Sequence, residues 1–208
     1  MIAIIDYGVG NLASVQKAFA AVGARATLAD DAASLAGASA IVLPGVGNFG
    51  HCSREFHRAG FAPELRSARE RGVPILGICV GMQLFFDGSD EDRGEPGLGF
   101  YRGTVRRLAD VLRVPQIGWN SVRTRGEHPW LRDVIDGDHF YFVHSYAAET
   151  TEDVVIGTVE YGGERVAIVG GDGLLGVQFH PEKSGANGLR LLRAFAFADA
   201  VVAAGGGR

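Results

Sequence analysis

The stretch VPILGICVGMQLFF, residues 73–86, decides the fold of this chain. Its first half is a short apolar run next to glycine and proline, which is typical of a central strand buried on both faces. The second half, from about Val80 to Phe86, predicts a helix. Because Gly77 and Gly81 flank Cys79, we expect a sharp strand-to-helix turn that places the thiol above the carboxyl edge of a sheet.

The rest of the N-terminal half repeats this alternation of apolar runs and helical patterns. Strands are predicted at residues 2–5, 26–28, 40–43 and 74–78, and a helix at residues 12–22. Short apolar runs that alternate with helices indicate a parallel sheet covered on both faces. The acidic, glycine-rich residues 87–99 are predicted to be a mobile loop.

The C-terminal half has a different pattern. Apolar runs at residues 139–143, 154–159, 166–169 and 174–179 are closely spaced, and clusters of turn residues separate them. This spacing predicts antiparallel hairpins, followed by a last helix over residues 187–204. We therefore predict one α/β domain over residues 1–208, a doubly wound α/β/α sandwich with a mostly parallel central sheet and antiparallel C-terminal hairpins.

Charge and composition exclude several classes of partner. The formal net charge is −4, which argues against broad binding to phosphate backbones, so we expect no nucleic acid partner. No apolar run approaches the roughly 20 residues that span a bilayer, so we expect no membrane partner. Two cysteines, Cys52 and Cys79, occur in a chain that begins MIAIID without the pattern of a secretory signal, and we expect a cytoplasmic protein with reduced thiols.

Cys79 has two interpretations on the turn alone. A cysteine at a helix N-terminus is placed where partial positive charge favours the thiolate, the form that attacks electrophiles. A free cysteine in a packed turn is also often an inert small hydrophobe. Cys52 has no comparable context, and we expect it to be structural.

A reactive thiol needs a base and a group that orients that base. His180 follows a predicted strand, and Glu182 comes two residues later, on the same side if the backbone is extended. These residues predict a Cys-His-Glu triad. The remaining histidines are expected to be surface residues (His51, His57 and His128), to lack an evident partner (His139), or to be either structural or part of the site (His144).

Two other functions compete with a thiol enzyme. His180 and Glu182 match the H-x-E of zinc deaminases, but the chain contains no C-x-x-C, so no metal is expected. Residues 8–13 match G-x-G-x-x-A, and Asp30 follows the second strand, a pattern that indicates a dinucleotide-binding oxidoreductase. That hypothesis ranks second because it leaves the triad unexplained. A non-catalytic binding subunit that keeps the triad is a third.

Several motifs carry a resemblance that covers nearly the whole chain. They are residues 4–8 with 10–12, 43–47, 77–86, 115–120, 141–146 and 179–184. The chain resembles the class I (triad) glutamine amidotransferases, and within them the glutaminase subunits of imidazole glycerol phosphate synthase. It departs from that pattern at Gln116, where histidine is frequent, and at Arg102, where proline is usual.

The resemblance implies an activity and a set of site residues. Cys79 would be the nucleophile, His180 the acid and base, and Glu182 the orienting carboxylate. The other implied roles are the oxyanion hole (Val46, Gly47 and Val80), glutamine binding (Gln83, Glu91, Ser145 and Tyr146) and the partner interface (Asn11, Trp119 and Lys183). No cofactor is implied.

The resemblance also implies a partner. Ammonia from glutamine would pass to a (β/α)8 cyclase subunit, which forms a heterodimer with the glutaminase and makes imidazole glycerol phosphate and an aminoimidazole carboxamide ribonucleotide in histidine biosynthesis. A subunit serving another acceptor, as in pyridoxal phosphate or aminobenzoate synthesis, is the alternative within the family. Residues 118–120, Gly-Trp-Asn, and Lys183 argue against it.

Overall fold

The computed structural model describes residues 1–109, 111–125 and 128–197, and this part of the chain contains two β-sheets. The strands are β1 (Ile2–Ile5), β2 (Ala26–Ala29), β3 (Ala40–Gly45), β4 (Ile75–Cys79), β5 (Gly88–Ser89), β6 (Asp92–Pro96), β7 (Thr104–Arg107), β8 (Gln116–Thr124), β9 (His139–His144), β10 (Tyr146–Glu149), β11 (Val155–Glu160), β12 (Glu164–Gly171) and β13 (Leu174–Val177). The α-helices are α1 (Leu12–Ala21), α2 (Phe49–Arg58), α3 (Phe61–Glu70), α4 (Val80–Gln83) and α5 (Gly185–Ala196). Short 3₁₀ helices occupy Ala32–Leu35, Pro129–Leu131 and Pro181–Lys183.

The larger sheet has nine strands in the order β2-β1-β3-β4-β13-β12-β11-β8-β9. The strands from β2 to β13 run parallel, and β1, β3, β4 and β13 are buried at every position. The strand order reverses at β1, so right-handed crossovers put α1 on one face and α2 and α3 on the other. The predicted doubly wound α/β fold is confirmed.

Strands β13, β12, β11, β8 and β9 continue the sheet as antiparallel neighbours, which confirms the predicted hairpins. Strand β8 was not predicted, because buried positions in it are separated by polar and exposed ones. The last helix, α5, packs on α1 through Phe195 and Phe19, whose ring centroids are 6.5 Å apart. This helix was predicted to reach residue 204, and residues 198–204 lie outside the described residues. Part of the single domain predicted over residues 1–208 lies outside them as well.

The prediction of a mobile loop over residues 87–99 is wrong. Strands β5 and β6 lie in this segment and belong to a four-stranded sheet of order β10-β7-β5-β6. Arg54 of α2 pairs with Asp92 and Glu95, each at 3.0 Å. Helix α2 approaches so closely that a Cβ on Gly50 would lie 2.2 Å from the Asp92 carboxylate. These contacts join residues about 40 positions apart, so the local pattern of the segment could not show them.

Two further details concern the helices. The helix predicted from Val80 to Phe86 is only the single turn α4, which ends at Gln83. Within the described residues, no helix is both long enough and apolar enough to cross a membrane.

Candidate active site

Strand β4 ends in a sharp turn, and Cys79 is the turn residue. Its backbone has φ 55° and ψ −113°, a region that costs about 1–3 kcal/mol for a residue with a side chain and that is common at functional sites. Cys79 directly precedes Val80, the first residue of α4. The N–H of Val80 therefore has no acceptor within the helix.

Two glycines, Gly81 in the turn and Gly45 at the end of β3, allow the turn to pack tightly against that strand. A Cβ on Gly81 would lie 1.9 Å from the carbonyl oxygen of Leu43, and one on Gly45 would lie 2.7 Å from the backbone nitrogen of Gly81. Real Cβ atoms essentially never make contacts this short. Both positions therefore require glycine, and the predicted strand-turn-helix geometry around Cys79 is present.

His180 and Glu182 lie in the segment that follows the neighbouring strand, β13. His180 Nδ1 lies 2.8 Å from Glu182 Oε1, and the two side chains are 3% and 1% exposed. A carboxylate accepts a hydrogen bond, so Nδ1 carries the proton and Nε2 is left for the thiol. The pairing was predicted from an extended backbone, but the structure places Glu182 in the 3₁₀ helix Pro181–Lys183.

The electrostatics of this pair favour a charged imidazole. Burial acts to lower the pKa of His180, but interactions with Cys79 and Glu182 outweigh it and raise the pKa to about 10. A protonated histidine beside a cysteine favours the thiolate, which is the nucleophilic form. The buried pair can therefore hold the thiol ready for attack.

Cys79 and His180 open on a cleft of 590 Å³. Most of the residues proposed from the sequence also line it: Val46, Gly47 and Val80 of the predicted oxyanion hole, Gln83, Glu91, Ser145 and Tyr146 of the predicted glutamine site, and Asn11 and Lys183 of the predicted interface. Glu182 lies behind His180, and Trp119 is 53% exposed outside the cleft. The structure thus brings most of the predicted site residues together, although their roles stay predictions.

The end of β3 and the loop after it are braced by two buried side chains. The Tyr7 hydroxyl donates to the carbonyl of Pro44 at 2.7 Å, and the Cys52 thiol donates to the carbonyl of Val46 at 3.3 Å. Burial raises the pKa of Cys52 to about 11, so this thiol stays protonated at neutral pH. Its position supports the predicted structural role. Gly47 completes the loop with φ +88°.

Two candidate glutamine-binding side chains are held by backbone groups. The Glu91 carboxylate accepts the N–H of Phe49 at 2.7 Å, at the start of α2, where partial positive charge stabilises an anion. Gln83 donates from Nε2 to the carbonyl of Tyr146 at 3.0 Å. Both side chains are thus oriented before any ligand arrives.

Gln178 was missed by the sequence analysis. Its side chain is fully buried, and its Nε2 donates to the sulfur of Cys79 at 3.7 Å. The available signal was its position two residues before His180, which would place both side chains on one side of the predicted strand if it continued to His180.

His144 combines the two roles that were left open for it. It lines the cleft, and its Nδ1–H donates to the carbonyl of Tyr146 at 2.8 Å. Burial lowers its pKa to about 4, so it is neutral at pH 7.

The other histidines lie away from the cleft. His51, His57 and His139 are exposed, which confirms the surface prediction for the first two. His128 is only partly exposed, because its ring packs against Trp130 at 5.1 Å between centroids. Burial lowers its pKa.

The two departures from the family pattern do not touch the triad. Gln116 is buried in β8 and donates from Nε2 to Asn120 Oδ1 at 3.0 Å. Arg102 is exposed, and its carbonyl accepts the hydroxyl of Thr150 at 2.7 Å.

The fold and site define a nucleophile-elbow protein of the α/β class, with cysteine at the elbow and a buried histidine–glutamate pair beside it. The family model for class-I glutamine amidotransferase matches residues 3–198. The chain belongs to the class-I glutamine amidotransferase family.

Close relatives narrow this assignment. The imidazole glycerol phosphate synthase subunit HisH of Thermococcus kodakarensis is 48% identical over 200 residues, which cover 94% of this chain and 98% of the relative. The HisH subunit of Symbiobacterium thermophilum is 46% identical and covers 92% of this chain and 91% of its own length. The resemblance to glutaminase subunits of imidazole glycerol phosphate synthase is confirmed.

Solved structures agree on the fold. A crystal structure of a glutamine amidotransferase superposes with a TM-score of 0.76 at 20% identity, covering 96% of this chain and 100% of the other. PurLQS from Thermotoga maritima gives a TM-score of 0.75 at 20% identity, covering 93% of this chain and 96% of the other. At such identities the likeness shows the fold alone.

Proposed function

We propose that this chain hydrolyses the side-chain amide of glutamine through a thioester on Cys79 and passes the ammonia to a cyclase subunit in histidine biosynthesis. The observation that carries the proposal is the placement of Cys79 and His180 in one cleft, beyond the carboxyl ends of β4 and β13, with Glu182 hydrogen-bonded to His180 behind the cleft. The relatives named HisH supply the pathway.

In the first half of the reaction, the thiolate of Cys79 attacks the side-chain carbonyl carbon of glutamine. A C–S bond forms, and the carbonyl electron pair moves to the oxygen. The N–H of Val80 and the loop at Val46 and Gly47 would stabilise this oxyanion, and one such donor typically contributes about 10²–10³ in rate. When the intermediate collapses, the C–N bond breaks and His180 Nε2–H protonates the leaving nitrogen, which departs as ammonia.

In the second half, a water molecule attacks the thioester carbon while His180 Nε2 takes its proton. The C–S bond then breaks, glutamate leaves, and the thiolate and imidazolium pair is restored. Glu182 keeps the proton on Nδ1 of His180 throughout, so that Nε2 always faces the reacting atoms.

Recognition of glutamine is assigned to other residues that line the cleft. The negative carboxylate of Glu91 is complementary to the positive α-ammonium group of glutamine. Gln83 provides a polar contact, and its hydrogen bond to the carbonyl of Tyr146 fixes the geometry of that contact. Ser145 lines the same cleft. A site of this kind prefers a small zwitterion with a carboxamide.

A partner is required because ammonia becomes ammonium in water near neutral pH and is then no longer a nucleophile. We assign docking of a (β/α)8 cyclase subunit to the rim marked by Asn11, Lys183 and Trp119. Ile117 and Trp119 are 59% and 53% exposed and lie two residues apart on β8, so they project from the same face. An exposed tryptophan beside an apolar neighbour is typical of an interface anchor. A heterodimer in the cytoplasm, with direct transfer of ammonia, completes the proposal.

Release of glutamate from glutamine tests the proposal. It is measured for the chain alone, and for the chain with a cyclase subunit and its nucleotide substrate, with Cys79→Ala as the matched control. We expect release that the partner stimulates and that the variant lacks. Absence of release from a verified complex, or release that persists in Cys79→Ala, would refute the proposal.

A further inference from the structure

Two buried carboxamides connect the proposed glutamine site to the thiol. Gln83 Nε2 donates to Gln178 Oε1 at 3.0 Å, and Gln178 Nε2 donates to Cys79 Sγ at 3.7 Å. Gln178 is fully buried and Gln83 is 3% exposed. The result is a continuous path of hydrogen bonds from a side chain on the cleft wall to the sulfur.

The path also fixes the orientation of both amide groups. The NH₂ group of Gln83 uses its two hydrogens, one toward Gln178 Oε1 and one toward the carbonyl of Tyr146. The carbonyl oxygen of Gln83 accepts no hydrogen bond from the described residues, so it is the atom offered to a ligand. Gln178 in turn directs its Oε1 toward Gln83, so its NH₂ group is the end of the amide that faces Cys79.

The backbone around Gln178 holds the side chain in place. The N–H of Gln178 donates to the carbonyl of Ala167 at 2.9 Å, and the N–H of His180 donates to the carbonyl of Tyr141 at 2.9 Å. Gln178 and His180 therefore approach Cys79 from one segment that is anchored at both residues. Their contacts with the sulfur are preorganised.

We propose that Gln178 is a positioning residue of the reaction, which donates a hydrogen bond to the sulfur of Cys79 and holds Gln83 so that its carbonyl oxygen faces the substrate. This inference rests on the proposed function, because it assumes that Cys79 attacks a ligand bound beside Gln83. A donor to a charged sulfur stabilises the thiolate more than the neutral thiol. Loss of the donor should therefore reduce the fraction of reactive thiolate.

Two variants separate the two parts of this role, the hydrogen bond to the sulfur of Cys79 and the positioning of Gln83. Gln178→Met keeps an unbranched side chain of similar length but removes both the donor and the acceptor. Gln178→Glu keeps an acceptor for Gln83 but, when ionised, presents no donor to Cys79. Thr158→Val is the matched control, because Thr158 is also a buried polar residue of the large sheet, 3% exposed, and does not line the cleft.

The first measurement is the rate at which iodoacetamide alkylates the peptide that contains Cys79, as a function of pH, in the full chain. The titratable groups around the thiol are His180, Glu182, His144, Tyr146, Glu91, Lys183, Tyr7 and Cys52, and all remain in every variant. We expect the rate at pH 7 to fall about 10–100-fold in both Gln178 variants, and the pH of half-maximal rate to rise by about one to two pH units. Thr158→Val should match the wild type.

The second measurement is glutamine hydrolysis in the complex with a cyclase subunit. We expect Gln178→Glu to lower kcat while KM stays within about threefold of the wild type, and Gln178→Met to raise KM as well. If either variant keeps its melting temperature and alkylates at the wild-type rate and pH, the inference is wrong. If Cys79 of the wild type is no more reactive than Cys52, the proposed function fails instead, so the two failures are distinguishable.

Discussion

Replacing Gly81 by alanine tests whether the close contact between α4 and β3 sets the rate of the reaction. The new Cβ would lie 1.9 Å from the carbonyl oxygen of Leu43, 2.8 Å from its carbonyl carbon and 3.2 Å from the carbonyl carbon of Pro44. The first distance is about 1.5 Å short of an ordinary contact. All three atoms are backbone, so no side-chain rotation can relieve the clash, and α4 or the loop after β3 must move.

The movement would separate the two proposed halves of the oxyanion hole. Val80 starts α4, and Val46 follows β3, so a shift of about 1 Å between these elements displaces one set of donors from the other. A misplacement of that size costs about 10² in rate, and overpacking costs about 1–3 kcal/mol of stability. We expect Gly81→Ala to lower kcat about 100-fold and to lower the melting temperature by several degrees.

The measurement is kcat for glutamate release in the complex, together with the melting temperature of each variant. Gly94→Ala is the matched control, since the nearest atom to its new Cβ is 3.7 Å away, which is an ordinary contact. It should behave as the wild type. A folded Gly81→Ala variant with kcat within threefold of the wild type would refute the reasoning.

Three further predictions follow from contacts in and near the cleft. Glu182→Gln should lower kcat by about 10²–10⁴, because His180 would lose the carboxylate that keeps its proton on Nδ1; steady-state kinetics will check this, and an unchanged kcat would contradict it. Because burial lowers the pKa of His144 to about 4 from 6.5, the unfolded chain binds a proton between pH 6.5 and 4 that the folded chain does not. As the pH is lowered from 6.5 to 4, the free energy of unfolding should therefore decrease by about 3 kcal/mol more in the wild type than in His144→Asn. Urea denaturation at several pH values will show this difference, and parallel pH profiles would disprove it. Trp119→Ala should weaken binding of the cyclase about 10–100-fold and leave the melting temperature of the isolated chain unchanged, because Trp119 is 53% exposed. Calorimetric titration measures this binding, and equal affinities of the variant and the wild type for the cyclase would contradict the interface assignment.

The parallel part of the fold could be predicted because its signals are local. Strands β1, β3 and β4 are buried at every position and so appear as continuous apolar runs. The glycines around Cys79 mark the turn because a backbone contact excludes any side chain there. The spacing of His180 and Glu182 also identified the pair, although the route was wrong, since a 3₁₀ turn and not an extended strand brings them together.

The remaining features depend on contacts between distant residues. Asp92 and Glu95 looked like members of a loop because their pairing with Arg54 lies about 40 positions away. Gln178 looked like an ordinary residue near a strand end, because only the folded chain brings its amide to Cys79, 99 positions away. Local hydrophobic patterns report burial of apolar side chains and not the partners of polar ones.

The position of β13 has a consequence for the synthesis of the protein. This strand is the last one in the described chain, yet it lies in the middle of the large sheet, between β4 and β12. While the chain is being made, β4 and its cysteine therefore emerge long before the neighbouring strand and the histidine that follows it. A nascent chain has a thiol but no base, and it has an open seam where the two halves of the sheet will meet. Pairing of β13 with β4 and β12 is what brings His180 to Cys79, so a chain that ends before β13 should release no ammonia from glutamine.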